Sequence, residues 1–337
     1  MNKQRLTYLN FIRALATFLI VAFHFYFNNK SFVTLPYNFN INIGEIGVSL
    51  FFIVSGASLF YNYQNNFNAI NYFKKRFFSI YPMFWLAYIS TTLLYFYLYK
   101  ATDTSINKIR YILTIIGFDG YLSYRTQTFY LLGEWFLGCI ILFYIIFPIL
   151  RSIMIKFPKL LIIISLILYF SMLFIYNNYS LKMPVGWNIL IRLPEFLFGM
   201  YYIKYIKKTN TPIFILSILT YIALQYLPLR INHVVEGTFT GIILFLILVW
   251  VGEVMPKHIN NIIDIVCKYS YAIFLTHHII IIQLQNRYNN IVLKNYERVY
   301  LFIIAWVFIA AFSKLLYIIN DKILSFIKTL PHTNIEK

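Results

Sequence analysis

The feature that most constrains the fold is a series of apolar runs, each nearly as long as a bilayer's hydrocarbon core is thick. A helix needs about 20 mostly apolar residues to cross a membrane, and about ten segments approach that length. These segments are 6–27, 43–63, 80–99, 127–150, 158–177, 187–205, 211–228, 236–254, 262–286 and 297–322. The composition agrees, since 60% of residues are hydrophobic, more than a soluble chain could bury. We therefore predict an all-α membrane protein, a polytopic bundle of about ten transmembrane helices.

The basic residues predict how the chain is oriented in the membrane. The formal net charge is +18, but lysines and arginines fall in short clusters between apolar runs. That distribution favours attraction to lipid headgroups over nucleic-acid binding, which we do not expect. With a cytoplasmic N-terminus, alternation places more basic residues inside than outside. We predict cytoplasmic termini, a single membrane domain over 1–330, a short cytoplasmic tail over 331–337, and a multi-pass location in the plasma membrane. The segment 104–126 is too short to span, and we predict a short interfacial helix there.

Two polar residues interrupt the first apolar run. Arg13 and His24 are separated by ten residues, which on an α-helix places them within about 20° of one face and roughly 16 Å apart. An arginine near the membrane centre costs about 2.5–3.5 kcal/mol, so it should face protein or water. Either the two residues line one cavity, or Arg13 pairs with a neighbouring helix and His24 lies at the interface.

Other polar residues occur in the later runs. Glu134 requires protonation or a positive partner, and Arg13 is a candidate by charge. Arg192 and Glu195 flank Pro194, and they indicate either a buried ion pair beside a helix kink or the polar lining of a cavity. His277 and His278 are consecutive, so their side chains diverge by about 100° and only one is expected to face the interior.

Two further patterns bear on chemistry. The basic cluster Lys74, Lys75 and Arg76 suits an anionic ligand on the predicted cytoplasmic side. A histidine suits removal of a proton from a hydroxyl, because its pKa lies near neutrality.

The cysteines Cys139 and Cys267 lie in apolar runs and are interpreted as small core residues. No spacing typical of a metal site occurs, so no metal is expected.

The pattern of an arginine, ten residues and a histidine resembles the membrane-bound acyltransferase family 3. Four further stretches resemble the same family in the same order. They are "GVSLFFIVSGASLF" (47–60), "KRFFSIYPMFW" (75–85), "RLPEFLFGM" (192–200) and "SYAIFLTH" (270–277). The second of these resembles a basic cytoplasmic loop that leads into Pro and Trp. Together the stretches cover most of the chain.

The resemblance implies an O-acetyltransferase of the surface-polysaccharide type. Such an enzyme transfers an acyl group, usually acetyl, from cytoplasmic acetyl-CoA to a hydroxyl of a cell-surface or lipid-linked glycan. Catalysis is expected at Arg13, His24, Glu134 and His277. Arg13 and His24 match the family's essential pair and His277 matches its late histidine, whereas Glu134 is expected from its place in an apolar run. Donor binding is expected at Lys74, Lys75, Arg76, Arg192 and Glu195.

Some positions depart from the family pattern. Ser49 stands where members often carry Asp, and Ser79 stands where an Arg is common. His278 has no match in the pattern. Some relatives complete transfer with an extracytoplasmic domain, so a separate extracytoplasmic partner is one expectation for this chain.

Two other functions use the same residues. A transporter or flippase of a lipid-linked sugar or small anion would use the intramembrane charges as a substrate path, without acyl-CoA. A noncatalytic scaffold for glycan assembly would need His24 for stability alone.

Overall fold

The structure is a computed structural model that describes residues 6–27, 43–100, 106–132, 135–226, 233–288, 291 and 293–329. These residues form α-helices and short helical turns, and no strand occurs among them. The helices of the first half are α1 (Thr7–Phe27), α2 (Ile43–Tyr63), α3 (Ala69–Tyr99), α4 (Tyr111–Ile115), α5 (Asp119–Leu122), α6 (Trp135–Lys156) and α7 (Pro158–Asn178). Those of the second half are α8 (Ile189–Tyr201), α9 (Thr211–Tyr226), α10 (His233–Val254), α11 (Lys257–Arg287) and α12 (Asn295–Thr329).

The lengths of the helices confirm a polytopic helical membrane protein. Within the described ranges, eight helices are long and apolar enough to cross a bilayer. They are α1, α2, α3, α6, α7, α10, α11 and α12. The spans predicted at 187–205 and 211–228 correspond to α8 and α9, which are shorter, although a π-helical turn, Tyr202–Ile206, extends α8. The count of ten spans and the cytoplasmic position of both termini stay predictions.

Helix α3 begins well before the predicted span. The side chain of Asn68 accepts a hydrogen bond from the backbone N–H of Asn71 at 2.9 Å, which caps the first turn. The whole basic cluster therefore lies on α3, and the prediction of a basic loop was wrong. The cap at Asn68 stabilises the start of the helix at Ala69. The polar residues that follow are therefore helical, although they are not apolar enough to be predicted as part of a span.

The chain divides into two compact units. Unit 1 contains α2, α7, α8, α9 and α10, with α1 up to Phe23, α6 from Ile146 and α11 up to Ser270. Unit 2 contains α3, α4, α5 and α12, with α1 from His24, α6 up to Ile145 and α11 from Tyr271.

Unit 1 is organised by a close crossing of α2 and α8. A Cβ atom built on Gly56 would lie 1.9 Å from the carbonyl oxygen of Phe196, and one built on Gly199 would lie 1.9 Å from that of Ile53. Only glycine permits backbones to approach this closely, as is common between membrane helices. The crossing places the polar residues of α8 directly against α2.

Unit 2 carries the segment between α3 and α6 on the side of α3. The indole N–H of Trp85 donates to the carbonyl of Ile115 at 2.9 Å, and the hydroxyl of Tyr81 donates to that of Ile116 at 3.0 Å. The end of the short helix α4 is therefore held against α3. One short helix was predicted in 104–126, where the structure describes two, and its place at the membrane interface stays a prediction.

Candidate functional site

Three histidines form a cluster in unit 2. The ring of His24, near the end of α1, lies 5.1 Å from the ring of His277 and 5.0 Å from that of His278, centroid to centroid. The rings of His277 and His278 lie 6.2 Å apart. The prediction that only one of the consecutive histidines faces the interior was wrong. A step of about 100° around α11 still leaves both rings close enough to contact His24, so the three rings form a compact triangle.

The contacts of His277 fix which of its nitrogens carries the proton. Its Nδ1 lies 3.0 Å from the carbonyl oxygen of Ile273 and 2.8 Å from that of Phe274. Carbonyl oxygens only accept hydrogen bonds, so Nδ1 is the donor and the neutral ring keeps a lone pair on Nε2. His277 is buried, and its Nε2 has no hydrogen-bond partner within the described structure. This nitrogen can therefore accept a hydrogen bond.

Arg13 belongs to a chain of polar contacts in unit 1. Its guanidinium donates to the hydroxyl of Ser58 at 3.2 Å and approaches the Sγ of Cys267 at 3.7 Å. The Cys267 thiol lies 3.4 Å from the amide oxygen of Asn10, whose amide nitrogen donates to Asp264 at 2.7 Å. Both described partners of the guanidinium are neutral groups.

Arg192 is the centre of a buried ion-pair network in unit 1. Its side chain is fully buried, and its Nη1 donates to Glu195 at 3.1 Å while its Nη2 pairs with Glu45 of α2. Its Nε donates to the carbonyl of Gly186 at 2.7 Å, and the Thr238 hydroxyl of α10 donates to Glu195 at 2.9 Å. Of the two interpretations of this pair, the geometry supports the ion pair, which joins α2, α8 and α10.

The basic cluster lies on α3 in unit 2. Lys75 is exposed, whereas Lys74 and Arg76 are partly buried. The guanidinium of Arg76 lies 5.5 Å from the centre of the Tyr144 ring on α6, a cation–π distance. Ser79, one turn later, donates its hydroxyl hydrogen to the Arg76 carbonyl at 2.9 Å. Lys75 therefore places a positive charge on the exposed face of α3, and Arg76 packs between α3 and α6.

Two further positions singled out by the sequence are Glu134 and Ser49. Glu134 lies outside the described residues, so its predicted pairing with Arg13 stays a prediction. Ser49 is fully buried on α2, and a Cβ atom built on Gly241 of α10 would lie 2.0 Å from its Oγ. The absence of a side chain at Gly241 thus allows α10 to pack closely on Ser49 of α2.

A further buried carboxyl, Asp119, lies at the start of α5. Its Oδ1 accepts a hydrogen bond from the backbone N–H of Gly120 at 3.0 Å. Burial raises the pKa of the Asp119 carboxyl from 3.8 to about 6, and the bond from Gly120 offsets only part of that rise. Asp119 is therefore a titratable group near neutrality, outside the long apolar helices.

Several of these residues were missed by the sequence reasoning. Asn10 is three residues before Arg13, and Asp264 is three before Cys267, so helical periodicity could have placed each pair on one face. No comparable spacing in the sequence pointed to Glu45. Both cysteines are free thiols. Among the residues that the structure describes, no group of three or more His, Cys, Asp or Glu side chains is arranged to hold a metal ion.

Comparison with known families gives a match over most of the chain. A family model for acyltransferase family 3, described as an acyltransferase domain, matches residues 6–319. Comparison with curated proteins gave no significant match, and comparison with solved structures gave none.

Proposed function

The chain belongs to acyltransferase family 3, and from this membership we propose that it transfers an acetyl group from cytoplasmic acetyl-CoA to a hydroxyl of a cell-surface or lipid-linked glycan. Membership supports an acyltransferase in a membrane, and the proposal adds the donor, the acceptor and the plasma membrane as location. Both termini would lie in the cytoplasm, and a separate extracytoplasmic partner would complete transfer if the acceptor lies beyond reach of the membrane domain.

The observation that carries the proposal is the histidine cluster. His24 would remove the proton from the acceptor hydroxyl, since an imidazole can do so near neutral pH. The oxygen then attacks the thioester carbonyl carbon, the carbon–sulfur bond breaks, and coenzyme A leaves as a thiolate. His277 is buried beside the His24 ring, and the bonds of its Nδ1 to two carbonyls of its own helix hold it there.

Arg13 would stabilise negative charge that develops on the thioester oxygen. Ser58 and Cys267 hold the guanidinium in place, but neither carries a formal charge. Its positive charge is thus not neutralised by these two partners. Glu134 is proposed as a further catalytic residue on the ground of its place in an apolar run.

The basic cluster would bind the phosphate groups of coenzyme A. Three adjacent cations near the start of α3, of which Lys75 is exposed, match a polyanionic ligand, and charge-assisted contacts of this kind are strong. Arg192 and Glu195 were also expected in donor binding. Because all three nitrogens of the Arg192 guanidinium contact protein oxygens, we instead propose that this pair holds the helices of unit 1 together.

The test uses membranes from cells with and without the intact protein, supplied with radiolabelled acetyl-CoA. We expect label in a surface glycan only when the protein is present. The variant His24→Ala should abolish labelling while its abundance in the membrane is unchanged. His258→Ala is the matched control, because His258 is an exposed histidine outside the cluster and its loss should leave labelling intact. Labelling by His24→Ala at the wild-type rate would contradict the proposal.

The same membranes separate the alternative functions. A transporter would move its substrate without acetyl-CoA, and vesicles loaded with a lipid-linked sugar would show this. A scaffold would tolerate His24→Ala as long as the protein remained folded. No described contact favours either alternative over acyl transfer.

A further inference from the structure

The third histidine of the cluster has no place in the family pattern, yet it packs closely against His24. The centroids of the His278 and His24 rings are 5.0 Å apart at an interplanar angle of 80°, so the edge of one ring meets the face of the other. At that separation the imidazoles are in van der Waals contact. The described contacts thus place two titratable groups against His278, namely His24 and His277.

His277 and His278, the two histidines next to His24, differ in how firmly their rings are held. His277 is buried, and its Nδ1 is held by two carbonyls of its own helix. His278 is only partly buried, and its Nδ1 has no hydrogen-bond partner in the described part of the chain. An imidazole whose Nδ1 makes no hydrogen bond can adopt either tautomer, and its ring can rotate. These properties suit a group that takes up a proton and passes it on.

We propose that His278 is a positioning residue that acts through His24, by taking over the proton that His24 removes from the acceptor hydroxyl. This inference rests on the proposed acetyl transfer. The hydroxyl O–H bond breaks and the proton moves to His24 as the new carbon–oxygen bond forms and the carbon–sulfur bond breaks. The proton then passes to His278, which restores neutral His24, and His278 releases it to water. The departing thiolate takes up a proton from water, so the net change is one proton moved from hydroxyl to thiol.

The experiment compares three variants in purified protein: His278→Ala, His278→Phe and His258→Ala. We expect His278→Ala to lower kcat by about 10- to 100-fold with an unchanged KM for acetyl-CoA, because proton transfer and not donor binding is affected. Added imidazole should restore part of the lost rate, since the substitution leaves space for a small base. His278→Phe fills that space with a ring that cannot carry a proton, so it should be slow with or without imidazole. His258→Ala should match the wild type.

Two results would overturn the proposal. If His278→Phe keeps the wild-type kcat, only the shape of the ring matters. If His278→Ala is slow and does not respond to imidazole, the defect is structural. Membrane abundance and thermal stability of each variant, measured in parallel, show whether the protein is folded.

A second readout does not depend on acetyl transfer. Nitrogen-15 spectra of histidine-labelled protein in lipid nanodiscs identify the His24 signals by their loss in His24→Ala. Replacing His278 by Phe should shift those signals in the absence of any substrate, and an unshifted spectrum would refute the coupling. Failure of the wild-type protein to label a glycan, with this coupling present, would refute the proposed acetyl transfer and not the exchange of protons between the two rings.

Discussion

The buried ion pair of Arg192 offers the sharpest test of how unit 1 is held together. Replacing Arg192 by Met removes three contacts, those to Gly186, Glu195 and Glu45. The Glu195 side chain is 0% exposed and that of Glu45 is 19% exposed, so neither carboxylate can recover full hydration. Removing one member of a buried pair in this way costs about 3–5 kcal/mol.

The corresponding assay is thermal unfolding of the purified protein in detergent. A loss of that size lowers the midpoint by about 4–7 °C in a protein of this length. The control is Arg125→Met, which removes an exposed arginine and should leave the midpoint unchanged. Adding Glu195→Gln to Arg192→Met should restore part of the loss, because one unpaired charge disappears.

The reasoning would be refuted if Arg192→Met unfolded at the wild-type temperature. If that variant instead kept its stability and showed a raised KM for acetyl-CoA, Arg192 would bind the donor, as the sequence first indicated. The two measurements together therefore separate a structural arginine from a ligand-binding one.

Three further predictions follow from other parts of the molecule. Gly199→Ala forces a methyl group onto the carbonyl of Ile53 and should cost about 1–3 kcal/mol or more, measured as a lower thermal midpoint. Burial raises the pKa of Asp119 to about 6, so the folded protein binds the extra proton between pH 3.8 and about 6. Stability is then greatest below this window and falls as pH rises through it, by about 3 kcal/mol in total. Asp119→Asn should remove that slope from the thermal midpoint measured against pH, and an unchanged slope would exclude Asp119 as its source. Arg76→Gln should raise the KM for acetyl-CoA several-fold and leave kcat nearly unchanged; a fall in kcat alone would place Arg76 outside the donor site.

The sequence predicted the helical class because each apolar run carries its own signal. Length and composition within one segment decide whether a helix can cross a membrane, and no other part of the chain is needed. The start of α3 was misplaced because Lys74, Lys75 and Arg76 are not apolar, although Asn68 caps a helix there. Hydrophobicity predicts which part of a helix can cross the membrane, whereas the capping residue indicates where the helix begins.

The candidate site was predicted only in part. The first apolar run showed that Arg13 and His24 need polar surroundings, because charge in lipid is costly wherever it occurs. The angle between His277 and His278 suggested that one of them faces away. That inference considered one helix alone, whereas His24 on α1 is close enough to touch both rings.

By itself, then, the sequence determined that the chain is a bundle of membrane helices and which of its residues cannot face lipid. Only the tertiary structure decided their partners. Arg192 pairs with Glu45, 147 positions away, and Arg13 meets Cys267, 254 positions away. The physical reason is that periodicity fixes the face of a residue within its own helix, whereas close packing between helices, as at Gly199, fixes what that face meets.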